Sequence, residues 1–131
     1  MRIYRYDPAR EPNAKDWELL DEQERIDIVA RRHRQDRVKL PNEILHASIH
    51  VVVENQLAMG IQDVRDALQR LMAEGLNRHD ALHAVGMVLS GHMFELLKGK
   101  SEAAQPIERY YEELRKLTAE SWRKMASEED E

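Results

Sequence analysis

The chain has 131 residues, no cysteine and a formal net charge of −5, with 25 acidic and 20 basic residues. This length can bury a hydrophobic core, and the lack of cysteine excludes disulfides, thiolate metal ligands and cysteine nucleophiles. The mixed charges give no basic field that would favour nucleic acid as a partner. No apolar run reaches the length of a membrane span, and the first residues lack the apolar core of a signal peptide. We therefore expect a cytoplasmic protein with neither a membrane nor a nucleic-acid partner.

Residues 1–14 carry two prolines and no helical period, which predicts a short extended arm. Asp21 and Glu24 have the spacing of a capping box, which predicts a helix from Asp21 to about His33 or Arg34. Trp17 lies just ahead of that helix as a packing anchor, in what could be a short turn. Three side chains could pin the arm to the helical body: Ile3, Tyr4 and Tyr6.

Capping residues and glycines bound the later helices. They predict helices over residues 42–59, 61–74 and 77–98. A last helix is expected after Pro106, with an acidic tail following it.

The pattern as a whole predicts an all-α fold, a compact bundle of four to five helices. We expect a single domain over residues 1–131. Its parts would be the arm at 1–14, a helical body at 15–126 and the tail at 127–131.

Two histidine pairs are the chemically distinctive feature of the sequence. His46, His50 and Glu54 follow one another at one-turn intervals, so they share one narrow face of the second long helix. His79 and His83 have the same spacing on the helix over 77–98. That helix has a separate polar stripe that can face solvent. We therefore expect His79 and His83 to face the protein interior more than His46 and His50 do.

Two imidazoles four residues apart on a helix can share one metal ion, and neutral imidazole is a common ligand of zinc and iron. Two such pairs with Glu54 give up to five nitrogen or oxygen donors: His46, His50, Glu54, His79 and His83. Two structural interpretations stay open. The histidines could hydrogen-bond within a buried contact, or the stripe over 46–54 could simply face water.

Other chemistries fit less well. The first pair has no glutamate after its first histidine, so it is not the metalloprotease arrangement. The sequence has neither a nucleophile elbow nor a phosphate-binding glycine loop. His92 falls on the far side of its helix from His79 and His83, whereas His33 remains an alternative ligand.

From Trp17 to Leu97 the sequence resembles a bacterial all-helical family of unknown function that carries two His-x-x-x-His pairs. The resemblance rests on these groups: Trp17, Asp21, Glu22 and Arg25; His33 and Arg34; Leu45, His46, Ala47 and His50; Val53, Glu54, Asn55 and Gln56; Gly75, Leu76, Asn77, Arg78 and His79; His83 and Ala84. It implies an all-helical fold with paired histidines and carries no established reaction.

The leading hypothesis is a metal-binding helical domain that uses both histidine pairs to bind zinc or iron. Metal-activated water or oxygen chemistry would make it an enzyme, with Glu54 as the candidate base; catalysis itself is left open. The alternative is a non-enzymatic homodimeric interaction module in which the histidines form a buried network. A pH-responsive role is a third hypothesis, because clustered imidazoles titrate near neutrality.

Overall fold

The computed structural model describes residues 5–35, 43–97 and 106–129. Within these ranges the chain is all-helical, which confirms the predicted fold class. The helices are α1 (Ala14–Glu18), α2 (Glu22–Gln35), α3 (Glu43–Ala58), α4 (Gln62–Ala73), α5 (Arg78–Leu97), α6 (Pro106–Lys116) and α7 (Ala119–Glu129). None of these helices has the length and apolar character needed to cross a membrane.

The described ranges thus hold seven helices rather than the four to five expected. One addition is α1, which forms because the Asn13 side chain accepts hydrogen bonds from the backbone N–H groups of Lys15 and Asp16, at 3.0 and 3.2 Å. The short turn expected around Trp17 is therefore a helix, and it buries Trp17 to 1% exposure.

The second addition comes from a break in the predicted last helix. The Ser121 backbone N–H donates to Oγ1 of Thr118 at 3.0 Å, and the Thr118 N–H donates to Oγ of Ser121 at 3.1 Å. Such reciprocal side-chain bonds satisfy the first N–H groups of a helix, so they start α7 instead of letting α6 continue. The acidic residues expected as a tail at 127–131 begin inside α7, which runs to Glu129.

The other helix boundaries follow the predicted signals closely. Asp21 and Glu24 exchange backbone-to-carboxylate bonds of 3.1 and 2.8 Å, which confirms the capping box. Asn77 caps α5 by accepting from the Asp80 N–H at 2.8 Å. Gly60 and Gly75 end α3 and α4 with φ angles of 76° and 108°, which favour glycine.

The chain forms two compact units, Met1–Ile61 and Gln62–Glu131, here called the N-terminal and C-terminal units. The single domain expected over 1–131 stays a prediction. In the N-terminal unit, α2 packs along α3. Its core consists of Tyr6, Trp17, Val29, Ala30, Ala47 and Val51.

The arm contributes a core residue to this unit. Tyr6 is 3% exposed, and its carbonyl oxygen accepts a hydrogen bond from Nη1 of Arg32 at 3.4 Å. Arg32 also lies 3.8 Å from the Asp7 carboxylate. The expected pinning of the arm is confirmed at Tyr6, whereas Ile3 and Tyr4 lie outside the described residues.

In the C-terminal unit, α4, α5 and α6 pack against one another, and α7 contacts α5. Arg70 of α4 donates from Nη2 to the carbonyl oxygens of Leu114 and Leu117, at 2.6 and 2.9 Å, which satisfies the open carbonyl end of α6. Arg115 forms a two-point ion pair with Asp63 at 3.1 and 3.0 Å. The hydrogen bond and the charge of Asp63 raise the pKa of Arg115.

Candidate metal centre

Helix α3 carries the first histidine pair on its polar face. The ring centroids of His46 and His50 are 4.9 Å apart, and a ring nitrogen of each lies within 4.8 Å of the other. Two nitrogens bound to one tetrahedral zinc ion, at roughly 2.0–2.1 Å each, lie about 3.4 Å apart. The pair is therefore near chelating geometry, as the four-residue spacing predicts.

Burial removes one of the structural interpretations of this face. His50 is 3% exposed and Glu54 is 2% exposed, and His46 is half-buried. The proposal that these residues form the one solvated stripe of α3 is therefore wrong. Helix α3 holds a histidine and a carboxylate inside the protein, where each needs polar partners to offset its lost hydration.

Tyr6 of the arm supplies such a partner. Its hydroxyl donates to Oε2 of Glu54 at 2.7 Å and lies 3.4 Å from Nδ1 of His50. The edge-on contact between the Tyr6 and His50 rings, with centroids 6.3 Å apart, fixes the same arrangement. The helical period of the sequence does not reveal this role of Tyr6, although a buried tyrosine hydroxyl usually finds a hydrogen-bond partner and so offers a signal.

A second polar cluster lies beside the first on α3. Oδ1 of Asn55 accepts hydrogen bonds from Nε1 of Trp17 at 2.7 Å and from Nη1 of Arg25 at 2.8 Å. Arg25 also donates from Nε to the Trp17 carbonyl oxygen at 3.1 Å, and its guanidinium lies 5.6 Å from the Trp17 ring centroid. The cluster joins α1 and α2 to α3 one residue after Glu54, so it holds that turn of α3 in place.

Helix α5 carries the second pair in the C-terminal unit. The ring centroids of His79 and His83 are 4.4 Å apart, so these imidazoles also share one face. Both side chains are half-buried, and Nε2 of His79 is buried. The pair thus has chelating spacing, but it is less enclosed than His50.

The remaining histidines were expected to play smaller parts. His92 stacks on Tyr110, with ring centroids 5.6 Å apart and planes inclined by 27°. This contact within the C-terminal unit matches the expected separation of His92 from the pair on α5. The side chain of His33, the alternative ligand, lies outside the described part of the chain.

Comparisons of the chain with protein-family models, with curated proteins and with solved structures gave no match. The family resemblance therefore stays a prediction.

Proposed function

We propose that this chain binds one transition-metal ion, with His46, His50 and His83 as its nitrogen donors. A single pair supplies two donors, whereas protein zinc sites use three or four ligands, so the pair on α3 needs at least one further donor. His79, one turn before His83, is the fourth candidate donor. Glu54 holds the donors in place in this proposal, because its Oε2 accepts the hydrogen bond from Tyr6.

The observation that carries this proposal is the burial of His50 beside Glu54 on a helix that is otherwise mostly apolar. Helix α3 includes the run Val51, Val52 and Val53, whose β-branched side chains are only moderate helix formers, so its packing has to stabilise it. Placing polar groups at the centre of that packing lowers stability unless they have partners or a ligand. An ion coordinated by His50 would be such a ligand.

The donor chemistry limits the choice of metal. Without cysteine, the ligands are imidazole nitrogens and carboxylate oxygens, which suit zinc or iron. Three imidazoles around an ion leave a coordination position open for water, whose pKa a zinc ion lowers toward neutrality. Metal-activated water or oxygen chemistry, with Glu54 as base, is the catalytic form of this proposal.

Metal binding is tested on protein purified without a histidine tag. Elemental analysis should find close to one zinc or iron per chain, and competition with a chromophoric chelator gives the affinity. Saturating metal should raise the melting temperature, since a ligand at 100 times its Kd adds about 2.7 kcal/mol of stability. His92→Gln is the matched control, because it removes a histidine outside both pairs and should leave the affinity unchanged.

Two results would contradict the proposal. One is a metal content far below stoichiometric, together with melting that neither chelator nor added zinc or iron changes. The other is a His46→Ala or His83→Ala variant that binds metal as tightly as the His92→Gln control.

A non-enzymatic interaction module is the second candidate function. The contacts among Tyr6, Glu54 and His50 favour it, because they form a buried polar network that needs no ion. In its homodimeric form, the exposed Ile44 and Leu45 of α3 would lie at the interface. Sedimentation that shows only monomer at high protein concentration would count against the dimer.

A further inference from the structure

We infer that Tyr6 is a positioning residue that selects which nitrogen of His50 presents its lone pair to the metal. This inference rests on the proposed function, because it assigns a role within the same site. The tyrosine hydroxyl lies near two buried groups, 2.7 Å from Oε2 of Glu54 and 3.4 Å from Nδ1 of His50. A hydroxyl has one proton to donate and two lone pairs that accept.

The two distances decide how that proton is used. A separation of 2.7 Å is typical of an O–H···O hydrogen bond, so the hydroxyl proton lies toward Glu54. The longer contact to His50 can then be a hydrogen bond only if Nδ1 carries a proton and donates it to the tyrosine oxygen. A neutral imidazole with its proton on Nδ1 has its lone pair on Nε2.

That tautomer is the one a ligand role requires at this position. Nε2 of His50 is buried, while Nδ1 faces Tyr6. Histidines that bind metals usually donate their other N–H to a carboxylate, a carbonyl or water, which fixes the ring and its tautomer. Here the tyrosine hydroxyl would link Nδ1 to the carboxylate of Glu54.

The arm holds the tyrosine in this position. Arg32 of α2 donates to the Tyr6 carbonyl oxygen, and the Tyr6 ring lies 6.1 Å from the Trp17 ring, measured between centroids. Tyr6 is 44 residues from His50 and 48 from Glu54 in the sequence. The segment expected only to pin the fold therefore becomes part of the metal centre.

The tautomer can be tested without any metal. Long-range ¹H–¹⁵N spectra of the metal-free protein, at a pH where the imidazoles are neutral, should show the proton of His50 on Nδ1. Tyr6→Phe keeps the ring and removes the link, so the His50 proton should redistribute to Nε2. Glu54→Leu should give the same change for another reason, because the tyrosine hydroxyl would then donate its proton to Nδ1.

Two further variants serve as controls. Glu54→Gln keeps an oxygen that can accept from the tyrosine, so it should retain the Nδ1 proton. Tyr111→Phe removes the hydroxyl of another tyrosine, in the C-terminal unit, and should change nothing. In metal competition, Tyr6→Phe and Glu54→Leu should lose about 10- to 100-fold in affinity, with Glu54→Gln losing less.

The outcomes separate this inference from the proposed function. Metal binding with the same affinity and the same His50 tautomer in Tyr6→Phe as in the wild type would overturn the inference and leave the proposed function standing. A wild-type protein that binds no metal, but whose Nδ1 proton is lost in Tyr6→Phe, would support the positioning role and refute the metal site. An Nε2 proton on His50 in the metal-free wild type would overturn the inference in either case.

Discussion

The histidine pairs of α3 and α5 share their spacing, with ring centroids 4.9 and 4.4 Å apart, but they differ in their surroundings. On α3, His50 is almost fully buried and lies beside a buried carboxylate and a tyrosine hydroxyl. On α5, His79 and His83 are both half-buried. The pair expected to be the less firmly inward-facing thus contains the most deeply buried of the four paired histidines.

A polar stripe therefore does not by itself mark the solvent side of a helix. The first turn of α3 exposes Ile44 and Leu45 to 57% and 55%, while the same helix buries His50 and Glu54. Such an inversion of the usual pattern is destabilising unless packing or function compensates. Departures of this kind are expected at functional sites, which is why we place the metal proposal on α3 first.

The largest expected effect compares His50→Ala with His83→Ala. If both histidines bind the ion, each variant should lose more metal affinity than the roughly 10- to 100-fold cost of removing an outer hydrogen-bond partner. Stability of the metal-free protein should separate them. His50→Ala should cost about 2–3 kcal/mol because it empties a buried site, whereas His83→Ala should cost about 1 kcal/mol or less.

Chelator competition and urea denaturation measure these two quantities on the same samples. Equal losses of metal-free stability would break the contrast between the pairs. Unchanged metal affinity in His83→Ala would contradict the proposed donor set.

The next expected effect lies in the cluster that supports α3. Asn55→Ala removes the oxygen that accepts from both Trp17 and Arg25. Leaving these partly buried donors unsatisfied should cost about 1–3 kcal/mol, seen as a lower urea midpoint with an unchanged slope. Gln23→Ala, at an exposed position of the same unit, is the control and should stay within about 0.5 kcal/mol. An equal loss of stability in both variants would show that the cluster has no structural role.

A smaller effect is expected at the start of α7 in the C-terminal unit. Thr118→Ala removes the hydroxyl that caps the helix and should cost about 1 kcal/mol. Thr118→Ser keeps the hydroxyl and should behave almost like the wild type in the same denaturation measurement. If both variants lose equal stability, the methyl packing of Thr118 matters rather than the cap.

Local signals in the sequence predicted much of the fold. The capping box at Asp21 and Glu24, the Asn77 cap and the glycines after α3 and α4 act within a few residues, so they can be recognised in one sequence. The break before α7 was missed although its cap is also local, because Thr118 and Ser121 lie within a pattern that continues the helical period.

The candidate site was predictable only in part, for a physical reason. The spacing of His46, His50 and Glu54 places them on one face of α3 whatever the remaining fold is. The contacts of Tyr6 with that face span more than 40 residues, and the helical period says nothing about such contacts. Burial of the stripe likewise depends on tertiary packing, which overrides the local pattern.

The smallest expected effect concerns Arg115 and Asp63, which join α6 to α4 on the surface. Arg115→Lys replaces a two-point ion pair by a point charge and should lower the melting temperature slightly at low salt and less at high salt. Asp63 raises the pKa of Arg115, so the stabilisation is present below the ordinary arginine pKa and is lost only as the pH rises through the folded value. The difference between wild type and variant should therefore stay constant from about pH 6 to 9.

Arg109→Lys is the matched control for this pair. Arg109 has the same side-chain exposure as Arg115, 54%, but reaches Glu95 through a single contact of 3.9 Å. If the two-point geometry is what stabilises the contact between α6 and α4, Arg115→Lys should show the larger salt-dependent shift in melting temperature. Equal shifts would show that the two-point geometry adds nothing beyond the general difference between arginine and lysine. A pH-dependent difference between about pH 6 and 9 would point to a titrating group other than Arg115.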